Sequence, residues 1–239
     1  MFDKPWIDGS LEVLDLAIEQ YSMAILSSET KISNKYLRFS LITADNAVEL
    51  GTKGFIEFEL NKLVKQNYDY YTIFNILNHE EPYKSDIEFK KIINLLKLYH
   101  KQRNQLYHGS FSPAMSRLQV LKFLFYVLTY FRKLYGTDFE TSLQFEVKRK
   151  FLFLNVESEH VITTLAKENR IKIDDSFSTS DLLISLKDCN VIKEESREFF
   201  EQVIDINQKL TPSSLDLVDL YSVSITLQDE IKKLRDKII

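Results

Sequence analysis

Cysteine is nearly missing: Cys189 stands alone among 239 residues. Neither a disulfide framework nor a multi-cysteine zinc site can therefore hold the chain together. Glycine and proline are scarce as well, at five and four, and a chain so poor in breakers is left to build helices. No apolar run approaches the roughly 20 residues that cross a bilayer. The best stretch, Val120 to Phe131, is short and holds Lys122. Met1 to Trp6 leads into no signal-peptide core, so a reducing cytoplasm is the expected compartment. A basic excess is also lacking. The formal net charge of -4 excludes a broadly basic nucleic-acid coat, and any RNA contact must be local.

What is present is apolar spacing of three and four. Leu11, Leu14, Ile18, Tyr21 and Ile25 predict a first helix capped by Ser10 or Asp8. A second starts near Asn34, turns Leu37, Leu41, Ala44 and Val48 inward, and bends at Gly51 and Gly54 before Phe55, Ile56, Leu60 and Leu63 resume it. Asn67 to Lys84 reads as a short helix and a loop ending in His79-Glu80-Glu81-Pro82. Consecutive loop residues do not by themselves make a metal site, so this loop is read as surface. A long helix then runs from about Asp86 to His108. After a loop at Ser110 to Pro113, another carries Leu118, Leu121, Leu124, Phe125, Leu128 and Phe131. Tyr126 and Tyr130 on it suit either base stacking or a core.

A boundary at Gly136 to Asp138 divides residues 1–136 from 137–239. Beyond it Leu143, Val147, Phe151 and Leu154 keep helical spacing, although 151–154 also fits a buried strand. Lys148-Arg149-Lys150 reads as a solvated face or a phosphate contact. A polar loop at 174–180 precedes helices at 181–189, 194–210 and 214–237. The predicted class is all-α, a helical bundle followed by a second, smaller helical unit.

The informative stretch is Arg103-Asn104-Gln105-Leu106-Tyr107-His108-Gly109. On a wheel at about 100° per residue, Ile92, Leu95, Leu96, Tyr99 and Leu106 form an apolar face with Arg103 in its middle. A cation there needs a partner. Asp45 and Glu49, one turn apart at the border of the second helix, are the best-placed anions. Lys90, Lys97, Lys101, Asn104 and His108 form the opposite, positive face. Gly109 ends the helix and leaves His108 among its last carbonyls, where the dipole favours the protonated ring. An arginine for a phosphate and a histidine for a proton suit phosphodiester cleavage. The same residues also fit a capped surface helix in which Arg103 is a structural ion pair and His108 a cap. Chance gives only about 0.1 Arg-x4-His pairs in such a chain.

RNQLYHG resembles the Arg-polar-x3-His signature of the HEPN superfamily, an all-helical group with many metal-independent ribonucleases. A fainter repeat lies later: Ile206 to Thr211 overlays Arg103 to His108, keeping Asn and Gln but losing Arg and His. Pro212 then matches Pro113, and Leu217, Leu220, Val223 and Leu227 match Leu118, Leu121, Leu124 and Leu128. The second unit thus reads as a HEPN-like unit without its chemistry.

The resemblance implies a homodimer with a composite cleft, because residues five apart diverge by about 140° on one helix. In that cleft His108 acts as general base or acid at the RNA 2'-hydroxyl or the leaving oxygen. Arg103 steadies the phosphate charge, Asn104 orients His108 or a phosphate oxygen, and Tyr107 walls the site. Asp45 and Glu49 support Arg103, and Lys97 and Lys101 meet the substrate. No metal or cofactor is called for, and no membrane. The implied roles are toxin or antiviral defence effector, with a cognate inhibitor or sensor as a further partner. The rival expectation is a non-catalytic HEPN-like binding or scaffold module.

Overall fold

Every regular element among the described residues is helical, and none of them is a strand. The computed structural model describes residues 4–65, 67–108, 115–145, 147–173, 178–209 and 217–238; the side chains of 106–108, 142–145, 209 and 217–219 are outside that description. No described helix is long and apolar enough to cross a membrane. The chain forms two compact units, Met1–Ser142 and Leu143–Ile239.

In the first unit, α1 (Pro5–Leu26) and α2 (Thr30–Gly54) pack against each other along their length. Helix α1 starts earlier than its apolar spacing predicts. Pro5 opens it because a first-turn residue needs no amide proton. Ser10 is consequently not a cap. It is buried inside the helix, where its hydroxyl bonds Ile7 O at 2.8 Å and meets the Tyr135 hydroxyl at 2.7 Å.

Helix α2 also begins earlier than expected and runs unbroken through Gly51 to Gly54. Gly51 is there for close approach: a Cβ would sit 2.8 Å from Phe131 Cε1 and closer still to the Tyr135 hydroxyl. A Cβ on Gly54 would meet Trp6 Cε3 at 2.9 Å. The helix loosens only afterwards, in a π-helical turn at Phe55–Glu59, and does not resume through Leu60 and Leu63. Leu63 is instead fully in the solvent layer, 76% exposed.

Helix α3 (Tyr70–Asn78) is capped by Asp69, whose carboxylate takes the Thr72 amide at 2.7 Å. Helix α4 (Ile87–His108) is capped by Asp86 through the Phe89 amide at 2.8 Å. Helix α5 (Arg117–Tyr135) opens on a Ser116/Gln119 capping box and packs on both α2 and α4. Its Tyr130 is a core residue, wholly buried and bonded to Thr52 at 2.6 Å. Gly136, at φ 55°, ends α5 with its amide on Arg132 O, a backbone conformation that favours glycine.

The division between units falls at 142/143, a few residues past Gly136 to Asp138. The start of α6 (Thr137–Phe145) explains the offset, since it is tied back into the first unit. Asp138 pairs with Lys4 at 2.7 Å, Glu140 with Arg132 at 2.9 Å, and Phe139 is buried under the Arg132 guanidinium.

The second unit is built on α7 (Val147–Glu168), which is helical through Phe151–Leu154 rather than extended. Helices α8 (Thr179–Asp188), α9 (Glu194–Lys209) and α10 (Leu217–Arg235) surround it. Phe151, Leu165, Leu183, Phe200, Leu227 and Ile231 share its core. Buried Glu157 of α7 is answered by Arg235 of α10 at 3.1 Å.

Candidate functional site

Helix α4 presents its buried stripe to α2, α3 and α5 through Phe89, Ile93, Leu96 and His100, one residue per turn. The next turn on this stripe is Arg103 and Asn104. The core therefore ends in polar side chains, and their partners come from α2 and α3.

Asp45 of α2 is completely buried. Its Oδ2 accepts from His100 Nδ1 at 2.8 Å and lies 3.4 Å from Arg103 Nε. Asn104 Nδ2 meets His100 Nε2 at 3.1 Å, and Asn104 Oδ1 accepts from Arg103 Nη1 at 2.9 Å. Arg103 Nη2 reaches across to Asn46 Oδ1 at 2.9 Å. A buried carboxylate is tolerable only when its charge is matched and solvated by donors, and here an imidazole and a guanidinium supply both.

The imidazole is also gripped from its faces. Tyr70 stacks on His100 at 3.9 Å between centroids, and Tyr71 meets it edge-on at 6.1 Å. Burial, and after it the charge of Asp45, holds the Tyr70 phenol well above the usual tyrosine range. Asp45 Oδ1 has no hydrogen-bond partner among the described residues.

Three expected supports stand elsewhere. Glu49 does not reach Arg103; it pairs with Lys53 at 2.7 Å, one turn along its own helix. Lys97 and Asn104 do not lie on the face opposite the core. Lys97 is half-buried over the rings of Tyr71 and Phe74 at 5.9 and 5.8 Å, and that burial lowers its ammonium pKa. The reason is the register of α4, whose buried stripe passes through His100 and draws positions 97 and 104 to its border. Lys101 is exposed. The side chains of Tyr107 and His108 lie outside the described residues. His108 is the last residue of α4, one turn beyond Asn104.

His79 Nδ1 donates to Asn75 O at 2.6 Å, and Glu80 pairs with Lys62. With Tyr68 and Thr72 they line an open surface groove. Among the described residues no three histidine, cysteine or carboxylate side chains converge on a metal position.

No family model, curated protein or solved structure matches this chain. The functional reading rests on the site alone. Sequence reasoning missed His100 and Asn46, which complete the network. His100 carried a local signal, since it sits three residues before Arg103 and four before Asn104 on the buried stripe. Asn46 carried none, because an exposed asparagine on another helix is tied to Arg103 only by the packing of α2 on α4.

Proposed function

We propose that the chain is a metal-independent endoribonuclease of the HEPN type, working as a homodimer whose two Arg103 to His108 segments share a cleft. The observation that carries this reading is the anchoring of Arg103. Asp45, Asn46 and Asn104 hold its guanidinium at the end of α4, five residues before His108. Preorganised cations are what stabilise the charge that develops on a transferring phosphoryl group.

In the reaction, His108 takes the proton of the 2'-hydroxyl, whose oxygen attacks the adjacent phosphorus. The P–O5' bond breaks, the leaving oxygen takes a proton from solvent, and a 2',3'-cyclic phosphate remains. Arg103 holds the pentavalent phosphate, Asn104 orients it, and Tyr107 walls the cleft. Because the nucleophile belongs to the substrate, RNA is cut and DNA is not. Lys101, exposed on α4, meets the strand. Growth arrest or antiviral defence, restrained by a cognate inhibitor or sensor in the cytoplasm, is the setting that the family resemblance implies.

One observation favours the rival reading of a non-catalytic scaffold. Each nitrogen group of the Arg103 guanidinium already faces a side chain of its own protein, as a structural ion pair requires. Purified protein on single-stranded RNA in EDTA decides between them. Cleavage leaving a 2',3'-cyclic phosphate, lost by about 10²- to 10⁴-fold in His108→Ala, supports the nuclease. Arg103→Lys should not restore what Arg103→Ala loses, because a point charge lacks the planar fork. Activity that disappears with chelator and returns with magnesium would sink the mechanism. Absence of cleavage in the unaltered protein favours the scaffold.

A further inference from the structure

The hydrogen-bond chain behind Arg103 can run in one direction only. A guanidinium can only donate and an ionised carboxylate can only accept. Arg103 Nη1 must therefore meet the oxygen of the Asn104 amide, at 2.9 Å. The amide nitrogen is left to face His100 Nε2 at 3.1 Å, so Nε2 is the acceptor. At the far end Asp45 Oδ2 takes the proton on Nδ1 at 2.8 Å. The chain from Arg103 through Asn104 and His100 to Asp45 closes only around a neutral imidazole that carries its proton on Nδ1.

A second proton on His100 breaks this order at one link. Nδ1 keeps its bond to Asp45, but Nε2–H now points at the N–H of Asn104. A half-turn of the Asn104 amide removes the clash by giving its oxygen to His100. The amide nitrogen then faces Arg103 Nη1, donor against donor, and that bond is lost. Two hydrogen bonds, the neutral one from Asn104 to His100 and the charge-assisted one from Arg103 to Asn104, are exchanged for one charge-assisted bond from the ring, while the bond from Nδ1 to Asp45 becomes an ion pair; the Arg103 bond that is lost is one an anion can replace.

We propose that His100 is a positioning residue whose proton decides whether Asn104 holds Arg103 or lets it go, so that anion binding at Arg103 and proton uptake at His100 are coupled. An anion that competes with Asn104 for Nη1 favours the turned amide, and the turned amide favours the charged ring. By linkage, the charged ring strengthens anion binding by the same factor. That the anion is an RNA phosphate rests on the proposed function; the coupling does not.

The groups around His100 set its field. From α2, Asp45 stabilises the charged ring. From α3, Tyr70 covers one face, Tyr71 stands at the edge, and Asp69 lies within electrostatic reach. On α4 itself Arg103, which shares Asp45 with the ring, opposes a further positive charge. No ionisable side chain of α5 makes a hydrogen bond or ion pair with the ring among the described residues.

The test follows the imidazole nitrogens and the Asn104 side-chain amide by NMR in the full chain, from about pH 8 to about pH 5. Sulfate serves as the anion because it does not titrate in this window. The expected neutral form carries its proton on Nδ1. The two Asn104 amide signals should exchange environments in step with the His100 titration, and sulfate should move the midpoint upward. Asn104→Leu removes the gate, and should bind sulfate at neutral pH as tightly as the unaltered protein does in acid. Neutral His100 protonated on Nε2, Asn104 signals that stay still through the titration, or a midpoint indifferent to sulfate would each overturn the proposal. None of these readouts involves RNA cleavage. An inactive protein with intact coupling refutes the nuclease alone, and an active one without coupling refutes only the gate.

Discussion

Asp45 and Glu49 look alike in the sequence, one helical turn apart at the edge of one apolar face, and their surroundings separate them. Asp45 has no exposed surface and answers two cationic or protonated neighbours. Asp45→Ala leaves the His100 N–H and the Arg103 guanidinium facing an empty, dry space, a change that costs about 3 to 5 kcal/mol. Glu49 makes a half-exposed i,i+4 pair with Lys53, and Glu49→Ala should cost about 0.5 kcal/mol or less. Urea unfolding measures both, as a large fall in midpoint for the first and almost none for the second, with the slope unchanged. Equal effects would mean that Asp45 is not the hub of the polar network. Pairing Arg103 with a carboxylate on the second helix was legible because a cation on an apolar face demands one. Which carboxylate it is depends on the rotation of α2 against α4, and no local spacing reports that.

At the scale of elements, the caps and the close approaches carry the specific energetics. Asp86 receives the Phe89 amide and binds Lys133 of α5, so it fixes both the start of α4 and its neighbour. The Phe89 amide, and then Lys133, lower the Asp86 carboxyl pKa from its ordinary value of 3.8. A folded-state pKa below the unfolded one stabilises the protein above the unfolded value, and the contribution fades as pH falls through the folded one. Asp86→Ala should therefore cost about 1 kcal/mol at neutral pH, with the gap to the unaltered protein closing below about pH 4. Unfolding curves at both pH values check the sign. Gly51→Ala drives a methyl into Phe131 and Tyr135 and should cost about 1 to 3 kcal/mol. Gly9→Ala on α1 meets nothing within 4 Å and should stabilise by about 0.5 to 1 kcal/mol. If both glycines behave alike, close packing of α2 on α5 is not the reason for Gly51. The helices themselves were readable, since burial of one face imposes the three-and-four spacing seen in α1, α2, α4 and α5. Their ends were less so. Pro5 starts α1 ahead of its first apolar repeat, and α2 runs unbroken to Gly54, with large rings of α5 and α1 filling the space where side chains at Gly51 and Gly54 would be.

For the whole molecule, the proposed chemistry demands two copies. A single chain holds one Arg103 to His108 segment, and the stretch that overlays it, Ile206 to Thr211, has neither arginine nor histidine. In the structure Ile206 to Lys209 closes α9 as the motif closes α4, and residues 210 and 211 lie outside the described part. Two active motifs can then meet only if two chains contribute them, through like surfaces across a dyad. The first unit has apolar surface to spare near its motif helix. Leu98 on the outer side of α4 is 52% exposed, and Phe39 and Leu50 of α2 are exposed on the same helix face as Asn46, the partner of Arg103. Light scattering after gel filtration should therefore give about twice the chain mass of 28.2 kDa. Charge at the contact should undo it, so Leu98→Glu should yield monomers that remain folded by circular dichroism and have lost cleavage. Mixing carries the argument further. Arg103→Ala and His108→Ala chains are each inactive as homodimers, yet an equimolar mixture forms mixed dimers in about half of the population, each with one intact arginine and one intact histidine from opposite chains. Partial recovery of cleavage in the mixture supports the shared cleft, whereas a fully active monomer, or a mixture as dead as its parents beside an active unaltered dimer, rules it out.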